Sequence, residues 1–341
     1  MPASVHEKFA DLFADPHVGR WLTSLNRAPA TIDAYGRAIR HFIAFCRTQE
    51  LPYLEVRIDH IAAYIQHMYA QQVQRATTRQ GLSNATMQQR LVAIHLFYDF
   101  LAKEHLLTTN PVERGTHKPG QRYKPGRSST RGLIPRYKKH PWIPTEEQWL
   151  AILAAAMVEP LRNRLMLAIA YDGALRREEL CSLAFDDIDP AYRLIRLRAE
   201  NTKSRCERVV HYSEETSKLY ASYLRQRMQL SSTRGALLLS ESHRNRAQPL
   251  SIWSWSKTVH AIAQRAGVPK FTTHTLRHLR LTDLARSNWE LYQIALYAGH
   301  KSLETTMLYI HLSGRELSEK LADGMGSIHQ WRAQTINHLL H

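Results

Sequence analysis

Four residues near the C-terminal end of the sequence could together do phosphoryl chemistry. His274 and Arg277 lie three residues apart in a stretch of helical periodicity, so both side chains can leave one helix face. Gly299-His300 follows, and Tyr309 lies nine residues beyond His300, at the end of a segment holding Leu303, Met307 and Leu308. A cationic pair, a second histidine and a tyrosine suit a site that grips a phosphate and attacks it. Arginine offers a planar, permanently charged fork that matches phosphate oxygens. Histidine, with an ordinary pKa near ~6.5, can exchange protons at neutral pH. A tyrosine can attack phosphorus, but its phenol has a pKa of about 10 and must lose its proton on the way.

Two further stretches could complete such a site. In Tyr171-Asp172-Gly173-Ala174-Leu175-Arg176-Arg177-Glu178-Glu179-Leu180, Arg176 follows a glycine turn and precedes an apolar helix with Leu180, Leu183 and Phe185. That places it near a helix start, although Arg176 and Glu179 also have the spacing of an ordinary surface pair. Downstream, the polar turn Glu200-Asn201-Thr202-Lys203-Ser204-Arg205 offers two cations, Lys203 and Arg205, between short strand patterns. A metal is a competing use for His274 and His278, which have the i, i+4 spacing of a zinc pair. Thr275 stands where HExxH needs glutamate and no third ligand is evident, so no metal is expected.

With these boxes in this order, the sequence resembles the tyrosine recombinase (phage integrase) family. The family's Gly-Leu-Arg-x-x-Glu-Leu box corresponds to 175–180, its His-x-x-Arg motif to His274 and Arg277, and its Gly-His motif to Gly299-His300. The resemblance implies catalytic roles for Arg176, Lys203, His274, Arg277 and His300, a supporting acid at Glu179, and Tyr309 as nucleophile. Thr202 and Ser204 flank Lys203 where the family often has glycines, which keeps Arg205 as its competitor. His278 and His311 are read as structural or supporting residues, and Arg177 as a contact to DNA or to solvent.

The resemblance further implies a 3′-phosphotyrosine link, attack on it by a partner strand's 5′-hydroxyl, and two rounds of exchange through a Holliday junction. The implied partner is double-stranded DNA carrying an inverted-repeat recombination site, with a dimer on each site and a homo-tetramer in the complex. Accessory proteins are left open. Because arginine and lysine carry the charge work, the resemblance implies no cofactor, neither a metal nor ATP.

The elements that must position these residues read as two domains. Residues 1–112 form an all-α region. Its helices are expected over 6–24, from Thr31 as a cap following Pro29, over 57–72, and over 84–104, where Thr108-Thr109-Asn110-Pro111 stops the last one. This region resembles the family's core-binding domain. Residues 113–143 form a linker whose stretch from Glu113 to Lys139 holds nine Lys/Arg against one acid, broken by Pro119, Gly120, Pro125, Gly126, Gly132 and Pro135. From 144 to 341 helices return, with Thr145 as a cap, helical patterns at 161–171, 213–229 and 251–267, and short strands around Leu194-Ile195 and Val209-Val210. The fold class is therefore mainly α with a small β-sheet: an N-terminal four-helix core-binding domain and a C-terminal mixed α/β catalytic domain. A tail beyond Tyr309 carries Leu317, Leu321, Met325, Ile328, Trp331, Ile336 and Leu339. It is apolar enough to need a docking surface on its own domain or on a neighbouring copy.

Composition narrows the function class. The 341 residues carry 46 Lys+Arg against 30 Asp+Glu, a net charge of +16, which draws polyanions and above all nucleic acid. No apolar run approaches the ~20 residues of a membrane span, and the first residues lack a signal peptide's apolar core. A cytoplasmic, nucleoid-associated location is the expectation. Cys46, Cys181 and Cys206 form no CxxC pair or disulfide framework. A type IB topoisomerase-like enzyme and a DNA-binding protein with a silent site are the alternatives to a recombinase. The region resembling a core-binding domain and the tail argue against the first, and usable side chains at every mapped position argue against the second.

Overall fold

A computed structural model describes residues 7–76, 82–112, 134, 140–202 and 205–314. The chain divides into two compact units, Met1–Lys138 and Lys139–His341.

In the first unit, periodicity alone joins 6–24 into one helix, but the chain breaks it at Asp15-Pro16. Helix α1 (Ala10–Phe13) ends there and α2 (Pro16–Ser24) begins. The Asp15 carboxylate accepts from the backbone N–H groups of His17 and Val18, and proline occupies the first helical position, where its missing N–H costs nothing. Helix α3 (Pro29–Thr48) likewise starts at Pro29 with Ala28 at its N-cap. Thr31, expected as the cap, sits inside the first turn, its N–H donating to Ala28 O. Helices α4 (Ile58–Ala76) and α5 (Asn84–Lys103) complete the unit. Asn110 stops α5 by bonding Asp99 and the His95 carbonyl. The apolar faces meet in one core built on Phe9, Trp21, Ile39, Phe42, Tyr64, Met87, Ile94, Phe97 and Leu101. Gly36 lets α3 close on the Phe9 ring, where a Cβ would come within 2.8 Å of the ring carbons.

The second unit opens with α6 (Glu146–Ala156), which Thr145 caps as its sequence predicts: its hydroxyl accepts from Gln148 N–H while the Gln148 side chain accepts from Thr145 N–H. Helices α7 (Leu161–Asp172) and α8 (Arg177–Cys181) follow. A three-stranded antiparallel sheet then forms in the order β1 (Ile188–Asp189), β2 (Leu194–Leu197), β3 (Arg208–His211), with Ile195 opposite Ile188 and Val210. Strand β1 was not foreseen, because two residues carry no alternation to read. In β3, Arg208 and Val210 face inward while Val209 and His211 face solvent, as the two-residue period of a strand requires.

The remaining helices are α9 (Glu214–Leu230), α10 (Ile252–Arg265), α11 (Thr273–Arg286), α12 (Leu291–Ala298) and α13 (Leu303–Ser313). The main core gathers Leu165, Ile169, Leu180, Ile195, Val210, Tyr223, Trp255 and Leu276. A smaller one joins Ala174 to Leu281, Leu284, Ile294, Ala298, Tyr309 and Ile310. Helix α11 packs against α7, α12 and α13, so its His-x-x-Arg stretch lies inside the unit. Most of the basic stretch 113–139 and the tail from 315 lie outside the described residues.

Candidate active site

The first piece of the site is the turn between α7 and α8. Gly173 closes the end of α7, and a Cβ there would meet Val210 at 2.9 Å. The left-handed residue is its neighbour Ala174, at φ +48°, a conformation that costs an ordinary L-residue on the order of 1 kcal/mol. The turn aims the Ala174 carbonyl at Arg277, whose Nη1 donates to it at 2.6 Å. The other amine of Arg277 donates to the Ala298 carbonyl at 2.5 Å, from the end of α12. Arg277 is thus pinned between two chain turns while only 1% exposed.

Arg176 follows as the N-cap of α8, and Glu179 reaches back to it. Glu179 accepts from the Arg176 backbone N–H at 2.9 Å and from its Nη1 at 2.8 Å. The same carboxylate, 1% exposed, takes a bidentate pair from Arg208 at 3.0 and 2.7 Å. Burial alone would raise the Glu179 pKa. The hydrogen bonds and charge of Arg208, then those of Arg176, overcome it and hold the carboxyl at about 2. Arg208 also donates through Nε to the Tyr297 carbonyl at 3.0 Å. Its guanidinium lies where a Cβ on residue 299 would sit, at 3.0 Å, and Gly299 ends α12 in the left-handed region at φ +63°. The glycine of the Gly-His motif is required on both counts.

Arg277, Arg176 and Arg208 therefore surround a single glutamate. Burial, and then the like charges of Arg176 and Arg208, press the Arg277 pKa down to about 9, which still leaves it charged at neutral pH. Such a cluster has a net positive charge in a low-dielectric pocket, which is what a phosphate group neutralises.

The second side of the site is made of rings. Tyr309, on α13, is 3% exposed, and its hydroxyl lies 2.9 Å from Nδ1 of His278. Burial raises the phenol's pKa, against the opposing pull of Arg277 and Arg176. His274 meets His278 edge to face, with ring centroids 4.6 Å apart. His300 stacks parallel to Tyr309, centroids 6.0 Å apart, and its Nδ1 is hydrogen-bonded to the buried Thr306 hydroxyl at 2.8 Å. Burial, reinforced by Arg277, Arg176 and Arg208, pushes the His300 pKa down to about 3. Burial, His274 and Arg277 push His278 down to about 4. Both imidazoles are neutral at physiological pH.

Residues 144–316 of the chain match the Phage integrase family, and residues 20–105 match its N-terminal SAM-like domain. The chain belongs to the phage integrase family. A protein named tyrosine recombinase XerC, from Pelotomaculum thermopropionicum, is 25% identical over 316 residues, spanning 89% of this chain and 95% of the relative. Transposase A from transposon Tn554 of Staphylococcus aureus is 30% identical over 167 residues, 47% of this chain and 46% of the relative. The crystal structure of XerH site-specific recombinase bound to palindromic difH substrate, in a post-cleavage complex, aligns with a TM-score of 0.61. It covers 94% of this chain and 93% of that one at 18% identity, a likeness of fold. The protein is a tyrosine-type site-specific recombinase, an enzyme that cleaves and rejoins DNA.

In the recombinase, Arg176, Glu179, His274, Arg277, His300 and Tyr309 come together from α8, α11 and the α12–α13 region. Lys203 lies outside the described residues. Its competitor Arg205 is exposed, at φ +53°, beside Thr202, whose hydroxyl accepts from the Cys206 N–H and ties the two ends of the turn. His311 is exposed at the surface. Arg177 bonds Glu178 and Ser256 and covers the Trp253 ring, leaving Arg176 alone to face inward.

Sequence reasoning missed Arg208, the direct contact of His278 with Tyr309, and the Thr306 support of His300. Strand alternation could have found the first, since Arg208 shares the inward register of Val210. The other two depend on how α11 and α13 pack, for which the sequence offers only the i, i+4 spacing of His274 and His278.

Proposed function

We propose that Tyr309 attacks a DNA phosphodiester, forms a 3′-phosphotyrosine link and releases a 5′-hydroxyl; a partner strand's 5′-hydroxyl then attacks that link and frees Tyr309. Arg176 and Arg277 hold the non-bridging oxygens and stabilise the charge that develops on them. The loss of one such donor typically costs ~3–4 kcal/mol of barrier. His300, neutral and steadied through Nδ1 by Thr306, keeps Nε2 for a further bond to the phosphate. His274 belongs to the proton path of the tyrosine through its contact with His278. Lys203 protonates the departing 5′ oxygen.

The partner is double-stranded DNA with an inverted-repeat site, bound by a dimer per site and joined as a tetramer through a Holliday junction. Residues 1–112 and the basic linker 113–143 add phosphate contacts, and a cytoplasmic location places the enzyme with its DNA. The structure of XerH recombinase bound to palindromic difH substrate supports the DNA partner.

The observation that carries this reading is a buried tyrosine hydroxyl in the field of Arg277 and Arg176, within a cluster where Arg176 and Arg208 share the Glu179 carboxylate. The test uses a binding site mapped by footprinting and nicked so that the 5′-hydroxyl escapes. Wild type is expected to give a protein–DNA adduct that survives SDS, and Tyr309→Phe none. A confirmed site that yields no adduct with wild type contradicts the reading.

A further inference from the structure

Helix α11 carries two histidines one turn apart, and the second is the one seen against the nucleophile. Nδ1 of His278 lies 2.9 Å from the Tyr309 hydroxyl, with the two rings tilted by 35°. The backbone carbonyl of His278 accepts from the Thr282 hydroxyl at 2.9 Å, within a helix buried between α7, α12 and α13. The ring meets the phenol on one side and the His274 ring on another.

The protonation state follows from the surroundings. The titratable and charged groups facing His278 are His274 and Arg277 on its own helix, Tyr309 on α13, and His300 from the turn before α13. Two of these, His274 and Arg277, oppose a charge on His278, and burial opposes it more. A neutral imidazole has one donor and one acceptor nitrogen. A phenol whose pKa lies above its ordinary value is a donor at neutral pH. The 2.9 Å contact lets the phenol O–H donate to Nδ1 when the ring proton is on Nε2, the tautomer that proton transfer from Tyr309 requires.

Building on the reading of Tyr309 as nucleophile, we propose that His278 is a catalytic residue: its Nδ1 takes the phenolic proton as Tyr309 attacks, and returns it when the strand is rejoined. The bond from the tyrosine oxygen to phosphorus forms and the bond from phosphorus to the 5′ oxygen breaks. The bonding pair leaves with that oxygen, which takes its proton from Lys203. The tyrosine proton ends on His278. Free transfer from a phenol to so weak a base would leave only a trace of tyrosinate, so transfer accompanies P–O bond formation. The phosphate itself assists. Its negative charge, entering between Arg176 and Arg277, offsets the positive field that suppresses His278 basicity.

The test measures single-turnover adduct formation on the nicked site with His278→Gln, which keeps an acceptor but no base, and with the smaller His278→Asn. Both are expected to bind DNA as wild type does and to cleave roughly 10²–10⁴-fold more slowly, the range of general base catalysis. A fluorinated tyrosine at position 309, whose phenol ionises more readily, should recover at least tenfold in His278→Gln. A substrate with sulfur at the 5′ bridging position, which leaves without an acid, should not recover it. Cleavage by either variant within threefold of wild type overturns the proposal, as does rescue by the sulfur substrate instead of the fluorinated tyrosine. Faster cleavage by either variant also overturns it and would make the contact a resting lock. Tyr309→Phe separates the two claims. An adduct that persists in it removes the nucleophile reading, whereas loss of the adduct beside an active His278→Gln removes only the role of His278.

Discussion

On one side of the site three guanidiniums cluster, two of them sharing one carboxylate; on the other, three imidazoles and a phenol pack against one another. The first side keeps charge inside the protein by pairing it. Glu179 accepts four N–H donors from Arg176 and Arg208, and Arg277 is fixed by two carbonyls. The second side keeps charge out, since burial holds His278, His300 and Tyr309 neutral at physiological pH. The difference separates two tasks. On the proposed reading, permanent charge is set out for the phosphate, while groups that can exchange protons start uncharged.

The contrast breaks most severely at Glu179. Glu179→Ala leaves Arg208 buried without its partner, and removing one member of a buried pair costs about 3–5 kcal/mol. Urea unfolding monitored in the second unit should register a loss of that size. The wild-type chain should show the same dependence with pH. The folded pKa of Glu179, about 2, lies below the ordinary glutamate value of 4.5. Its contribution is therefore present above pH ~4.5 and lost as pH falls towards 2, on the order of 3 kcal/mol in all. An unfolding free energy that is flat across that window would contradict the assignment.

Arg208→Lys is a milder break on the same side. Lysine keeps the charge but cannot span both carboxylate oxygens and the Tyr297 carbonyl at once. We expect a loss of ~1–3 kcal/mol in stability and a drop in cleavage of about tenfold, with DNA affinity unchanged. Equal losses of cleavage and affinity would mean that Arg208 touches DNA rather than setting Arg176 through Glu179.

The ring side gives the smallest effect. His278 and His300 have folded pKa values of about 4 and about 3, below the ordinary ~6.5. Their contribution to stability is present above pH ~6.5 and lost as pH falls through the folded values. The slope between pH 6.5 and 4.5 should flatten in His300→Gln by a fraction of a kcal/mol to ~2 kcal/mol over the window. An unchanged slope would place His300 in solvent.

Most of the elements were legible in the sequence because their signals are local. Thr145 with Gln148 announces the start of α6, and the apolar spacing of α5 marks it to within a residue of its observed end. Where the local signal misled, a neighbouring residue outweighed it. Asp15 and Pro16 cut a helix whose apolar stripe runs on, and Pro29 started α3 two residues ahead of Thr31. The motifs located Arg176, Arg277, His300 and Tyr309 because each sits at a helix end or a fixed spacing. Arg208 escaped because a charged residue at an inward strand position looks like a surface residue until Glu179 is seen beneath it. His278 escaped because its partner lies 31 residues away on another helix.

The central claim is that Tyr309, beside this guanidinium cluster, is the nucleophile in DNA cleavage. The most direct measurement is to trap the adduct on the nicked site, digest the protein and the DNA, and locate the linkage by mass spectrometry. We predict a single modified residue, Tyr309, joined to a 3′-terminal phosphate. Attachment to any other residue, or through a 5′ phosphate, would contradict it.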